Sequence, residues 1–218
     1  MNEPSAPPLL RGELNTIVRQ RILSGVYRPG SWIREIELQR EFGVSNGPVR
    51  EALQQAVADG LAERAPFRGV RVIDLSEREV VELFDVRFAL LGFAAEQAAA
   101  NAAPGTAESA AALKAALQAD RNAADLWLRG EFSRWVFELA GNTRLRDAYQ
   151  RPLMQSLVYV AVARSEQISR DTLHVHCVEV IDAIVRGDAG GARRAVRALT
   201  EQTLRYLRST VQLAKEQA

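Results

Sequence analysis

The sequence predicts a mainly α-helical protein: an N-terminal winged helix-turn-helix with a small β-hairpin wing, then a C-terminal all-α antiparallel helical bundle. Three observations predict it. Residues 37–61, ELQREFGVSNGPVREALQQAVADGL, read as two short helices joined by a tight turn. Strand-like alternation follows at once, at Val70 and Val72, with turn residues before it. From Ser76 onward apolar residues recur at helical spacing, and no strand pattern appears.

Composition sets the bounds. A chain of 218 residues suffices for two modest domains. Apolar content of 47% and charged content of 25% are those of an ordinary soluble globular protein. Net charge is +1, so any nucleic-acid binding must rest on local placement of charge. Nearly all the basic residues are Arg; Lys occurs only at Lys114 and Lys215. A single cysteine, Cys177, excludes an internal disulfide. The N-terminal MNEPSAPPLL is not a secretory signal, and no apolar run approaches the ~18 residues of a membrane span, so the cytoplasm is the expected location.

In chain order, residues 1–8 are Pro-rich and polar and read as a flexible arm. Leu10, Leu14, Ile17, Val18 and Ile22 follow helical spacing from about Leu9 to a stop at Gly25. VYRPGSWI is read as a loop turning at Pro29-Gly30, with Trp32 or Ile33 packing under the helix-turn-helix. Leu38 and Phe42 share a helical face, Gly43 ends that helix, and Val44 plugs the turn. Ser45 is an N-cap and Pro48 falls in the first turn of the second helix. Val49, Ala52, Leu53 and Ala56 give that helix its buried face, leaving Asn46, Gly47, Arg50 and Gln54 pointing elsewhere. Ala65 to Gly69 supply the turn of the wing. The winged helix-turn-helix thus covers residues 9–74, and residues 75–218 form the helical domain.

That second domain opens on a capping box, Ser76 with Glu79, ahead of a run through Val80, Leu83, Phe84, Val86, Leu90, Leu91 and Ala94 to about Ala103. Pro104-Gly105 breaks it. Helices are predicted over 106–119, through DLWLRGEFSRWVFELAGN, over 143–165 with a kink at Pro152, over 169–186, and from Asp188 past Tyr206.

These residues resemble a known family. Pro29-Gly30, Glu35, Glu37-Leu38, Phe42-Gly43-Val44-Ser45, Pro48-Val49-Arg50-Glu51-Ala52-Leu53, Asp59-Gly60-Leu61 and Arg68-Gly69 match GntR-family bacterial transcription regulators. LFDVRFAL, AGN at 140–142 and AIVRGD at 183–188 are similar to the effector domain of its FadR-type (FCD) branch. The resemblance implies a homodimer on a palindromic operator of double-stranded DNA. It also implies a small-molecule effector, often an organic acid, bound in the bundle.

Candidate DNA-reading residues follow. Arg50 sits one turn into the recognition helix, where a guanidinium can bind phosphate or a guanine edge; the alternative is a salt bridge to Glu51 or Asp59. Ser45 can cap its helix and also donate to a phosphate. Arg68 at the wing tip, with Gly69 allowing close approach, can enter the minor groove or touch phosphate. The family commonly carries Arg and Thr where this chain has Asn46 and Gly47, so an operator different from the commonest family sites, or weaker affinity, is expected.

The bundle departs from the family in a second way. Many members of the branch hold a divalent metal with Asp-x-x-x-His and two later histidines. The corresponding positions here are Arg129, Ser133, Cys177 and Leu199, and the only histidines are His174 and His176, so no metal cofactor is expected. Arg129 is then a candidate to supply the positive charge for a ligand carboxylate; its alternative is an ion pair with Asp125 or a neighbouring helix. Arg87 is a second candidate, against an inter-helix ion pair. Ser133 lies beside Arg129. His174 and Cys177 share a face with His176 next to them, and satisfied core or rim roles compete with ligand contact. Trp127 and Trp135 read as core or pocket wall.

The sequence therefore predicts a DNA-binding transcriptional regulator, acting as a repressor, whose operator affinity a metabolite changes. One rival is a DNA-binding dimer whose bundle only dimerises. An enzyme finds no support: no nucleophile beside a base, no metal set and no phosphate loop.

Overall fold

The computed structural model describes the backbone of residues 11–119, 124–163 and 170–216, and the side chains of 12–118, 130–159 and 174–205. The expected arm, residues 1–8, lies outside the described residues. The chain divides into two compact units, Met1–Leu75 and Ser76–Ala218.

In the first unit, α1 (Arg11–Leu23) places Leu14, Val18 and Ile22 on one stripe, four residues apart, and buries all three. It packs against α3 (Asn46–Ala58), whose Val49, Ala52, Leu53 and Ala56 are buried as their spacing predicts. Between them, α2 (Glu35–Phe42) contributes the buried Leu38 and begins two residues earlier than the 37–61 stretch suggests. Gly43 ends α2 in the left-handed region at φ 63°, and its N–H bonds the Gln39 carbonyl. Arg21 locks α1 to α2. Its guanidinium donates to Glu41 and to the Tyr27 hydroxyl and lies over the Phe42 ring, 5.0 Å from its centroid. The hydrogen bond from Arg21 holds the Glu41 carboxyl below its ordinary pKa.

The sheet has three strands in the order β1-β3-β2, all antiparallel. Segment 26–33, read from sequence as a loop, ends in a strand, β1 (Trp32–Ile33), which pairs with β3. Two residues are too few to show alternation. Ile33 is buried and Trp32 exposed, so Ile33 is the one that packs inward. The wing is β2 (Ala62–Ala65) against β3 (Gly69–Val72), in register from Ala62↔Val72 to Ala65↔Gly69. At its tip the Arg68 N–H donates to the Ala65 carbonyl at 3.2 Å. Gly69 sits at φ 99°, a conformation that favours glycine. Phe67 is a non-glycine residue at φ 62°, which costs roughly 1–2 kcal/mol.

All regular secondary structure among the described residues of the second unit is helical. Its central element, α4 (Glu77–Ala100), is capped by Ser76 and Glu79 in a full capping box. α4 packs against α6 (Ala124–Ala140), α7 (Thr143–Ala163), α8 (Arg170–Val185) and α9 (Ala189–Glu216), while α5 (Thr106–Ala119) lies against α6 and α8. The buried face of α4 is Val80, Leu83, Phe84, Leu91 and a run of small residues at Gly92, Ala94, Ala95, Ala98 and Ala99. Small residues let α9 approach closely. Val86, placed on this stripe by its hydropathy, is exposed, because it lies two positions beyond Phe84 and off the face. α4 ends at Ala100, short of the expected Ala103. Pro152 stands inside α7. No helix among the described residues is long and apolar enough to cross a membrane.

Candidate nucleic-acid interface and effector region

The geometry of the first unit is built outward from α3. Ser45 occupies the N-cap position with extended backbone, φ −71° and ψ 171°. Its hydroxyl makes no capping hydrogen bond, so the expected side-chain cap is not formed. Ser45, Asn46 and Gly47 are exposed instead at the positive end of the helix. Asn46 is exposed, and its Oδ1 accepts from Gln39 Nε2 at 3.4 Å, a long bond that is easily exchanged. Gly47 is exposed, and a Cβ built there meets nothing within 4 Å. A side chain would fit; glycine is not demanded by packing.

Arg50 is 61% exposed, yet it is paired. Its Nε donates to Glu35 Oε2 at 3.1 Å. The partners considered from sequence, Glu51 and Asp59, are not the ones used. Asp59 Oδ1 accepts from Gln55 Nε2 at the C-terminal end of α3, a helix length away. Glu35 lies 15 residues earlier in sequence but begins α2, which packs beside α3. Sequence reasoning missed it as a functional partner, although it stands among the residues matched to the family. The pair fixes the direction of the guanidinium without burying it.

The wing completes this face. Arg68 is exposed, and Arg68 and Gly69 line one groove of about 580 Å³ with Trp32, Ile33, Arg34 and Glu35. Glu35 thus touches both the recognition helix and the groove at the wing root. Exposed Arg28, Arg40, Arg64 and Arg68 take part in no ion pair among the described residues, whereas Arg71 is held by Glu63 at 2.5 Å. Locally unpaired arginines supply the field that a net charge of +1 does not.

In the second unit, Arg87 on α4 does not make the inter-helix ion pair set against ligand binding. Its Nη2 and Nε donate to the Tyr149 hydroxyl at 2.7 and 3.3 Å. The guanidinium lies 5.2 Å from the Phe84 ring centroid and 5.5 Å from that of Tyr149. Tyr149, on α7, is itself buried and packs on Phe137 at 4.8 Å. Among the described residues no carboxylate pairs with Arg87. The half-buried guanidinium is thus surrounded by one hydroxyl oxygen and two ring faces. Tyr149 was not singled out from sequence; its signal was the spacing Leu145, Tyr149, Leu153 along α7.

Ser133 is buried on α6 and donates to the Gly130 carbonyl within its own helix at 3.1 Å. Trp135 is core, and its indole N–H donates to the Ser109 hydroxyl on α5 at 3.0 Å. On α8, Cys177 is buried, His176 Nδ1 is 2.8 Å from Glu179, and His174 Nδ1 is buried without a hydrogen-bond partner among the described residues. The side chains of Arg129, Asp125 and Trp127 lie outside the described residues, and so does the reading that Arg129 holds a carboxylate. No group of three or more His, Cys, Asp or Glu able to hold a metal occurs among the described residues.

Comparison with known proteins agrees with this architecture. Residues 10–72 match the model of the gntR family of bacterial regulatory proteins, and residues 82–202 match the FCD domain. A probable D-xylose utilization operon transcriptional repressor of Paenarthrobacter nicotinovorans is 29% identical over 91% of this chain and 87% of its own length. An HTH-type regulator of Agrobacterium vitis is 37% identical over 47% of the chain and 60% of its own length. The gluconate operon transcriptional repressor of Bacillus licheniformis is 38% identical over 37% of the chain and 32% of its own length. Among solved structures, E. coli McbR/YncC superposes with a TM-score of 0.75 at 19% identity, covering 92% of this chain and 98% of that one. A GntR regulator of Rhodococcus sp. RHA1 does so at 0.74 and 18%, covering 91% and 97%. The three curated relatives carry the names of transcriptional regulators or repressors. A winged helix with an exposed reading face, followed by an FCD bundle, makes this chain a member of the GntR family and a DNA-binding transcriptional regulator.

Proposed function

We propose that this protein is a cytoplasmic repressor that binds a palindromic operator as a homodimer and is released by an organic acid held at Arg87. The observation that carries the effector reading is the Arg87 guanidinium: half-buried, positioned by the Tyr149 hydroxyl, and without a carboxylate partner among the described residues. An incoming carboxylate supplies the missing negative charge and a charge-assisted hydrogen bond. The role given to the metal in much of the family then falls to a side chain, so no metal cofactor is required. The DNA reading rests on Arg50, Asn46 and Ser45 in the major groove and on Arg68 with Gly69 at the minor groove or phosphate. Gly47 adds no side-chain contact. Two-fold symmetry of the dimer sets two half-sites about one helical turn apart, or a multiple of that. Calorimetry with a panel of mono- and dicarboxylic acids tests the effector site. Binding by the wild type, lost in Arg87→Ala and partly kept in Arg87→Lys, supports it; undiminished binding by Arg87→Ala moves the ligand elsewhere.

A further inference from the structure

We infer that Phe67, at the tip of the wing, is an apolar wedge that enters the minor groove and partly unstacks one base step in each operator half-site. The inference rests on the DNA-binding reading above and extends it to a residue that the family match does not single out. Four features of the tip point the same way. Phe67 is completely exposed, at 109% of its reference area, so its ring packs on nothing among the described residues. Its backbone is held at φ 62°, which glycine or asparagine would adopt with less strain; the large ring is kept in spite of the backbone. The tip is a defined turn, closed by the hydrogen bond from Arg68 N–H to the Ala65 carbonyl with Pro66 inside it, so the ring is presented at a fixed place. Exposed Arg64 and Arg68 flank Phe67 in sequence, with no ion pair among the described residues, so cations able to meet backbone phosphates lie near the tip.

The geometry links this tip to the reading helix. Arg68 and Gly69 share a groove with Glu35, and Glu35 bonds Arg50, so the wing and the recognition helix flank one face. Apolar side chains inserted between base steps act where unstacking is easiest, at pyrimidine–purine steps such as TA and CA. An exposed phenyl ring is a poor choice for a solvated loop, and its charged neighbours make it a poor contact for an apolar protein surface.

The test uses the full chain and a duplex selected by the wild-type protein from a random pool, with 2-aminopurine placed in turn along the flanks of each half-site. The wedge predicts a rise in 2-aminopurine fluorescence at one step per half-site, with a pyrimidine–purine preference there. Phe67→Gly loses that rise and weakens binding about fivefold or more, while Phe67→Leu retains most of both. An unchanged circular-dichroism melt shows that the variant is folded. Phe67→Gly binding within about twofold of wild type, with the fluorescence rise intact, overturns the wedge. So does a change in sedimentation of Phe67→Gly with its DNA contacts unaltered, which would assign the ring to an interface between copies. If Arg50→Ala loses the duplex while Phe67→Gly does not, the DNA reading stands and only the wedge falls. If the wild type selects no duplex at all, both fall.

Discussion

Among single residues, Arg50 carries the largest prediction. It is exposed enough to reach a base and is aimed by a surface ion pair worth below about 1 kcal/mol. Arg50→Ala should cost about 1–3 kcal/mol of specific binding and leave the fold intact. Glu35→Gln frees the guanidinium and removes a negative charge near phosphate. It should raise affinity for all duplexes while narrowing the gap between selected and scrambled DNA, which parallel anisotropy titrations would show. Gly47 has open space around its Cα. Gly47→Ala should therefore stabilise the first unit, by up to about 1 kcal/mol in a chemical denaturation, because helix propensity rises and nothing is displaced. The sequence named Arg50, Asn46 and Gly47 correctly as outward-facing, since helical spacing alone places them. It could not name Glu35 as the partner of Arg50 or Tyr149 as the partner of Arg87. Those pairs are made across helices, over 15 and 62 residues of sequence, and local periodicity carries no such information.

At the level of elements, the capping box of α4 was fully legible, because its signal lies within four residues. Ser76 accepts from the Glu79 N–H, and Glu79 Oε2 accepts from the Ser76 N–H at 2.8 Å and from its hydroxyl at 2.6 Å. The Ser76 hydroxyl bond first, and then the backbone bond, hold the Glu79 carboxyl below its ordinary value of 4.5. A depressed carboxyl contributes stability above that ordinary value and loses it as pH falls through the lower folded value. Acidification from about pH 5 downward should therefore weaken the cap. Glu79→Gln should flatten that part of the pH–stability curve, and Ser76→Ala should cost about 1 kcal/mol at neutral pH. The strand β1 was illegible for the opposite reason. Two residues in a strand are defined by their pairing to Arg71 and Val70, not by any pattern of their own. The Ser45 cap shows a further limit: sequence gives the residue type and the position, while the orientation of a hydroxyl depends on what surrounds it.

For the whole molecule, the division into a reading unit and a helical unit was legible because periodicity changes from strand-like to helical between residues 72 and 76. Why one unit should obey the other was not legible, since coupling is a difference between two states and a sequence pattern describes one. If a carboxylate at Arg87 governs operator affinity, Arg87→Ala should still bind the operator but become insensitive to the acids that release the wild type. A thermal melt should rise with such an acid in the wild type and stay flat in the variant. A wild-type melt that no acid moves would make the bundle a dimerisation module. The central claim is DNA binding through the exposed face of α3. Its most direct measurement is an anisotropy titration of the full chain, wild type and Arg50→Ala, against a duplex the protein has selected and against a scrambled one. DNA reading by this face predicts that the wild type prefers the selected duplex, that its affinity falls steeply with salt, and that Arg50→Ala loses most of the preference. Equal affinity of the two proteins for the selected duplex would contradict it.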